Sequence, residues 1–149
     1  MSDATPDHSI LGGWLGTYYY RSRHKMPVRF EATFSPLRDD ATGFGGTILD
    51  DLPSGEAVVT HGQQTGPNVR FTKTYREPTA GSEGAPIHYL GTMSDDGKLV
   101  TGSWETHFRR QGKLRRMKGN WDARRMWEEA EEEQAESTRQ ALSIQLLVR

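Results

Sequence analysis

The sequence contains no cysteine in its 149 residues. This absence excludes a disulfide framework, a thiolate nucleophile and a cysteine-ligated metal site, and it is typical of proteins in a reducing compartment. No apolar stretch approaches the roughly 18 residues of a transmembrane helix. The first residues are polar and lack a basic start followed by an apolar run, so we expect no signal peptide. A cytoplasmic protein without a membrane partner is the resulting expectation.

The chain also lacks an excess of charge of either sign. Its 19 lysines and arginines stand against 20 aspartates and glutamates, for a formal net charge of -1. No overall field therefore recruits nucleic acid or an acidic membrane. A basic segment, FRRQGKLRRMKG at 108–119, is followed by the acidic run EEAEEEQAE at 128–136, which could fold back and neutralise it. We expect no nucleic-acid partner.

Sequence motifs for cofactors and metals are missing as well. There is no P-loop, no G-x-G-x-x-G, no G-x-S-x-G and no H-E-x-x-H, and the five histidines show no spacing typical of metal ligands. Phe44 facing inward beside a small Gly46 explains the GFGG stretch at 43–46 more simply than a phosphate loop does. The sequence predicts neither a cofactor nor a metal site.

Short alternating segments fill the chain between residues 10 and 126, separated by clusters of Gly, Pro, Asp and Ser. This pattern is typical of all-β proteins. Mostly short connections favour antiparallel neighbours. We predict one barrel domain over 1–122, with a helix and tail over 123–149. The eight predicted strands are 11–21, 28–36, 43–50, 56–63, 68–77, 87–93, 99–110 and 113–122.

Two hairpins can be registered from their turn residues. Asp96-Gly97 is a type I′ signal, and Gln111-Gly112 is placed to turn the next hairpin. The turns pair residues as follows: Tyr89 with Trp104, Gly91 with Gly102, Trp104 with Gly119, and Gly102 with Trp121. In the second hairpin a large side chain thus faces a small one in both pairs, as a tightly curved sheet requires.

Nearly all aromatic residues share one strand parity, and polar residues occupy the other. A sheet with one dry and one wet face suits an antiparallel sheet closed on itself. We therefore predict an all-β fold, an eight-stranded antiparallel up-and-down β-barrel followed by a C-terminal α-helix. Eight strands enclose an interior that side chains just fill or that holds one small ligand.

The predicted helix covers residues 123–141, where helix formers dominate and Gly and Pro are absent. Its apolar stripe is thin. A solvated helix with a partly disordered end is one interpretation. Docking over the barrel mouth, or against a second subunit in a homo-oligomer, is the other.

Four short motifs resemble the internal pattern of small lipocalin-like, or calycin, barrels. They are W-x-G-x-Y (Trp14, Gly16, Tyr18), F-x-K-x-Y (Phe71, Lys73, Tyr75), Y-x-G (Tyr89, Gly91) and G-x-W (Gly102, Trp104). The first-strand tryptophan and the alternation of glycine with aromatic residues are also similar to avidins, whose strands run in the same up-and-down order. The resemblance implies an open-mouthed barrel that binds a small, mostly apolar molecule.

Lys73 is the sharpest single feature, because it shares the inward parity of Phe71 and Tyr75. A buried ammonium must be paired, hydrogen-bonded or neutral. It could form a structural network with Asp50, the tyrosines or Thr60 that fixes strand register, or it could meet a polar or anionic group of a ligand. A lysine with a depressed pKa acting as a base or forming a Schiff base is a third alternative.

Three functions follow from these interpretations. The first is binding of a small hydrophobic or aromatic molecule that carries a polar or anionic group inside the barrel. The others are a cofactor-independent isomerase or cyclase, and a protein-interaction module with a filled barrel. Arg115, opposite Phe108 in the last hairpin, could rim the mouth and attract an acidic ligand. The candidate ligand-binding residues are Lys73, Tyr18, Tyr20, Tyr75, Tyr89, Trp14, Trp104, Trp121, Asp50 and Arg115.

Overall fold

Eight antiparallel strands make up the described part of the chain. A computed structural model describes residues 8–22, 24–53, 55–77 and 84–128. Its strands are β1 (Gly12–Tyr20), β2 (Val28–Leu37), β3 (Asp40–Asp50), β4 (Glu56–Thr65), β5 (Asn68–Tyr75), β6 (Ile87–Met93), β7 (Leu99–Arg110) and β8 (Lys113–Glu128).

Each strand pairs with its sequence neighbours, and β8 closes the sheet onto β1. The predicted antiparallel up-and-down barrel is therefore confirmed. Strands β2 and β4 run slightly past their predicted ends, β3 begins earlier, and β5 ends earlier. No helix in the described ranges is long and apolar enough to span a membrane.

Both predicted hairpin registers are correct. Tyr89 lies opposite Trp104, and Gly102 lies opposite Trp121. The two turns differ, however. Gln111 and Gly112 both have positive φ, of 53° and 76°, as a type I′ turn requires.

The Asp96-Gly97 turn is not the predicted type I′ turn. Of these two residues only Gly97 has positive φ, and its amide donates to the carbonyl of Ser94, 2.9 Å away. The Asp96 carboxylate instead accepts bonds from the Ser94 hydroxyl and the Lys98 amide. These side-chain bonds favour a longer loop with the same register.

The predicted C-terminal helix is wrong at its start. Residues 123–128 continue β8 and pair with the beginning of β1, where Gly13 lies opposite Trp127. Without this extension the first half of β1 would have no partner on that side, and closing the sheet outweighs the helix propensity of these residues. Ala123 is accordingly buried in the core. The remainder of the predicted helix and tail, with the acidic run from residue 129 on and the proposed oligomer contact, lies outside the described residues.

One end of the barrel is filled by side chains. Phe34, Phe44 and Ile10 are almost fully buried there, with the two phenylalanine rings 5.2 Å apart. Ile10 also accepts a hydrogen bond from the indole of Trp14 and donates to Gln64, so the segment before β1 is tied across this end. We call it the closed end.

Arg125 secures the same end from β8. Its guanidinium lies 4.4 Å from the ring centroid of Trp14. It donates to the backbone carbonyls of Gly97, Leu11 and Ser9. The opposite end, where β1, β3, β5 and β7 finish, is therefore the one at which a ligand could enter.

Candidate functional site

The ammonium of Lys73 is buried in the barrel interior. Lys73 lies near the end of β5 and has 0% exposure, and Asp50, the last residue of β3, has 3%. The Nζ atom is 2.9 Å from both carboxylate oxygens of Asp50. Of the alternatives open for Lys73, the structure shows an internal ion pair with Asp50.

The carboxylate of Asp50 organises the polar cluster beneath the open end. Besides the Lys73 ammonium, its Oδ2 atom accepts hydrogen bonds from Tyr18, at 3.0 Å, and from Tyr75. The two phenolic oxygens are themselves 3.3 Å apart. We call Lys73, Asp50, Tyr18 and Tyr75 the polar floor. Because these hydrogen bonds compensate the buried charges, the cluster is a stable internal network.

Thr60 is not part of this network. It pairs with Thr72 on the wet parity, and the neighbour of Lys73 across the β4–β5 ladder is Val59. The backbone irregularity near His61, which has φ 56°, shifts the register between Thr60 and Gln63. An uninterrupted count along β4 could not foresee this bulge.

Aromatic rings surround the ammonium. The Lys73 Nζ atom lies 4.5 Å from the ring centroid of Tyr18, 4.7 Å from that of Tyr75 and 5.8 Å from that of Tyr89. These separations are within the range of cation–π attraction. The rings supply a second source of stabilisation for a charge that water does not reach.

Burial shifts the proton equilibria of the cluster. It lowers the pKa of Lys73, and the charge and hydrogen bonds of Asp50 oppose that change. Burial also raises the pKa of Tyr18, Tyr75 and Tyr89, and the nearby Asp50 charge raises each further. The tyrosines therefore remain neutral phenols around the ion pair at physiological pH.

A cavity of about 420 Å³ lies above the polar floor. Its size falls within the roughly 300–1,000 Å³ range of small-molecule sites. Side chains from the barrel wall and from the loops at the open end line it: Tyr18, Tyr20, Lys25, Leu52, Lys73, Tyr75, Ala85, Ile87, Tyr89, Trp104, Thr106, Phe108, Arg110 and Met117.

The cavity walls are largely aromatic and rigidly packed. The ring of Tyr20 meets Trp104 edge-on, with centroids 5.3 Å apart, and Tyr18 at 5.8 Å. The indole of Trp104 is fixed further by a 3.1 Å hydrogen bond to the carbonyl of Tyr19. Such walls present flat apolar surface suited to a planar ligand.

The candidate residues fall into two groups. Six of them line the cavity: Lys73, Tyr18, Tyr20, Tyr75, Tyr89 and Trp104. Asp50 lies directly beneath, where it is bonded to Lys73 and Tyr18. Trp14, Trp121 and Arg115 do not line it. Trp14 belongs to the closed end.

Trp121 and Arg115 miss the cavity for different reasons. The indole of Trp121 donates to the carbonyl of Leu90 at 2.9 Å and packs deeper in the core. Arg115 shares the inward parity, but it precedes Gly119 in the part of β8 that pairs with β7 alone and has no β1 strand beside it. Its side chain is exposed.

Several lining residues were missed by the sequence analysis. Lys25 and Leu52 lie in loops, where alternation gives no signal, and Ala85 precedes β6. Thr106, Met117 and Ile87 lie on the inward parity of their strands, and extending the aromatic parity to non-aromatic residues could have found them. Arg110 also follows from that parity.

The histidines have no role in this cavity. His88 lies opposite Glu105, as predicted, on the outer face of the barrel. Within the described ranges, no three His, Cys, Asp or Glu side chains come together in a way that could hold a metal ion.

Comparison with known proteins identifies a shared fold. No protein-family model and no curated protein matches the sequence. Among solved structures, the chain is similar to EF1p2_mFAP2b in its complex with DFHBI, with a TM-score of 0.57 and 13% sequence identity. The match covers 78% of this chain and 94% of that chain. The likeness shows the barrel fold, while membership of the lipocalin-like or calycin group stays a prediction.

Proposed function

We propose that this protein binds a small aromatic or hydrophobic molecule carrying a polar group in the cavity at the open end of its barrel. The observation that carries the proposal is the coincidence of a ligand-sized cavity with aromatic walls and a fully paired polar floor. A preformed apolar space with a few fixed polar atoms is the usual composition of a small-molecule site. EF1p2_mFAP2b, with its related fold and its bound DFHBI, offers a precedent.

Binding is favoured over the two alternatives. A filled barrel acting only as an interaction module does not account for the cavity. Catalysis by Tyr18 or Tyr75 is disfavoured because both hydroxyls donate their protons to Asp50, and are thus not aimed at a substrate. Lys73, paired with the same carboxylate, is a poor nucleophile.

The test is titration calorimetry with three naphthalene probes of the same ring system: naphthoate, naphthylmethanol and naphthylmethylamine. We expect at least one to bind with a stoichiometry near one. Met117→Trp, which places a larger side chain on the cavity wall, should weaken that binding by about tenfold or more.

The matched control is Leu114→Trp on the same strand. Leu114 is 63% exposed and does not line the cavity, so this variant should bind like the parent. Circular dichroism and the urea midpoint verify that both variants fold. If no probe binds, or if the two variants lose affinity equally, the cavity is not the binding site.

A further inference from the structure

We infer that the ligand is an aromatic anion whose negative group lies at the cavity mouth, between Lys25 and Arg110, and not on Lys73. This inference rests on the proposed function and goes further by fixing the charge and the orientation of the ligand. The contact with an anionic group, which the sequence suggested for Lys73, is thereby assigned to Lys25 and Arg110.

The polar floor is unsuited to an anion. The Lys73 charge is already neutralised by Asp50, with Nζ 2.9 Å from each carboxylate oxygen. An anionic group placed there would lie beside a buried carboxylate, and two like charges in a low-dielectric interior repel strongly.

The tyrosines of the floor reinforce this preference. Tyr18 and Tyr75 direct their hydroxyl protons to the Asp50 carboxylate, so their remaining capacity toward the cavity is that of lone-pair acceptors. Acceptors suit a ligand hydroxyl, an N–H group or the positive edge of an aromatic ring. They do not stabilise a carboxylate or a sulfonate.

The mouth has the opposite character. Lys25, in the β1–β2 loop, and Arg110, at the end of β7, both line the cavity and are solvent-exposed. The Lys25 Nζ atom lies 4.8 Å from the ring centroid of Tyr20, which positions it over the aromatic wall.

The charges of Lys25 and Arg110 are not balanced by an acidic side chain in the described lining of the cavity. None of the described lining residues is an aspartate or a glutamate. Neither Lys25 nor Arg110 forms an ion pair with any described carboxylate. The cavity thus has two uncompensated cations at its mouth, aromatic walls, and hydrogen-bond acceptors at its floor. This arrangement selects a ligand whose ring lies inside the cavity and whose negative charge lies at the mouth.

The order of affinities of the same three probes tests this inference. Naphthoate should bind more tightly than the neutral naphthylmethanol, and naphthylmethylamine should bind most weakly. Lys25→Gln and Arg110→Gln should each weaken naphthoate binding by about fivefold, the effect of one charge at about 4 Å in water. Neither change should affect naphthylmethanol, and added salt should reduce the naphthoate advantage.

Arg109→Gln is the matched control, because Arg109 is the exposed neighbour of Arg110 and does not line the cavity. It should leave all affinities unchanged. Equal binding of naphthoate and naphthylmethanol by the parent would overturn the inference while leaving the proposed function intact. Failure of all three probes would remove both. A loss of naphthoate affinity as large in Arg109→Gln as in Arg110→Gln would assign the preference to overall charge and also overturn the inference.

Discussion

Lys73 and Asp50, 23 residues apart in the sequence, form an ion pair that joins β5 to β3 across the barrel interior. The contact passes over β4, which lies between these strands in the sheet. It therefore fixes strands that do not hydrogen-bond to each other, and it does so at the depth where the filled half of the barrel gives way to the cavity. Tyr18, bound to the same carboxylate, extends the link to β1.

Removing one member of this pair should destabilise the fold strongly. Lys73→Met leaves the Asp50 charge buried without its cation, and Asp50→Asn leaves the ammonium without its anion. We expect each to lower the free energy of unfolding by about 3–5 kcal/mol. The double variant should lose clearly less unfolding free energy than the sum of the two single losses, because it leaves neither charge uncompensated.

Urea unfolding of the four proteins measures this coupling. The exposed pair Arg76–Glu56, whose side chains are 52% and 59% exposed, supplies the control. Arg76→Gln should change stability by less than about 1 kcal/mol. An unchanged or increased stability of Lys73→Met would mean that the parent holds this charge at a net cost to folding.

Alkaline pH should unfold the protein through its buried tyrosines. Their folded-state pKa values are raised, so above pH about 10 the unfolded chain loses phenolic protons that the folded chain keeps. The contribution of these tyrosines to folding stability is fully present below that pH and is lost as the pH rises. The lowered pKa of Lys73 has the opposite effect: it makes stability rise with pH between the folded-state pKa and the ordinary value of 10.5. This is the contribution of one group, whereas several tyrosines act in the other direction.

Urea midpoints between pH ~8 and ~11 give the measurement. Tyr89→Phe should flatten the alkaline decline, because Tyr89 is fully buried with a raised pKa. Tyr19→Phe should change it much less, because Tyr19 is 38% exposed. Tyrosinate absorbance that still appears near pH 10 in the fully folded Tyr19→Phe protein would contradict the prediction.

The small residues facing large ones should be intolerant of substitution. A Cβ atom at Gly102 would lie 1.8 Å from the carbonyl oxygen of Leu90, so the backbone itself would have to move. We expect Gly102→Ala to cost about 1–3 kcal/mol or more. Gly45→Ala is the control, because its nearest atom, the carbonyl oxygen of Val59, would be at an ordinary 3.4 Å. Equal thermal midpoints for the two variants would refute the steric argument.

The barrel could be predicted from the amino-acid sequence because the signals that specify it are local. Alternation with period two assigns each residue to a face, and short turns dictate antiparallel neighbours, so the strand order and the pairing of Tyr89 with Trp104 could be derived without coordinates. The same parity placed Lys73 inside, and burial then demanded a partner, which made Asp50 a candidate.

Which parts of the barrel interior are filled and which are hollow could be seen only in the folded protein. That outcome depends on how eight strands are staggered around the barrel, a long-range property that no single strand encodes. Stagger left Arg115 on a part of β8 that has no β1 strand beside it, and it placed Trp14 at the closed end. Ring closure likewise turned residues 123–128 into strand against their helix propensity, since β1 required a partner. Loop positions brought Lys25 to the cavity mouth, where no periodicity could have placed it.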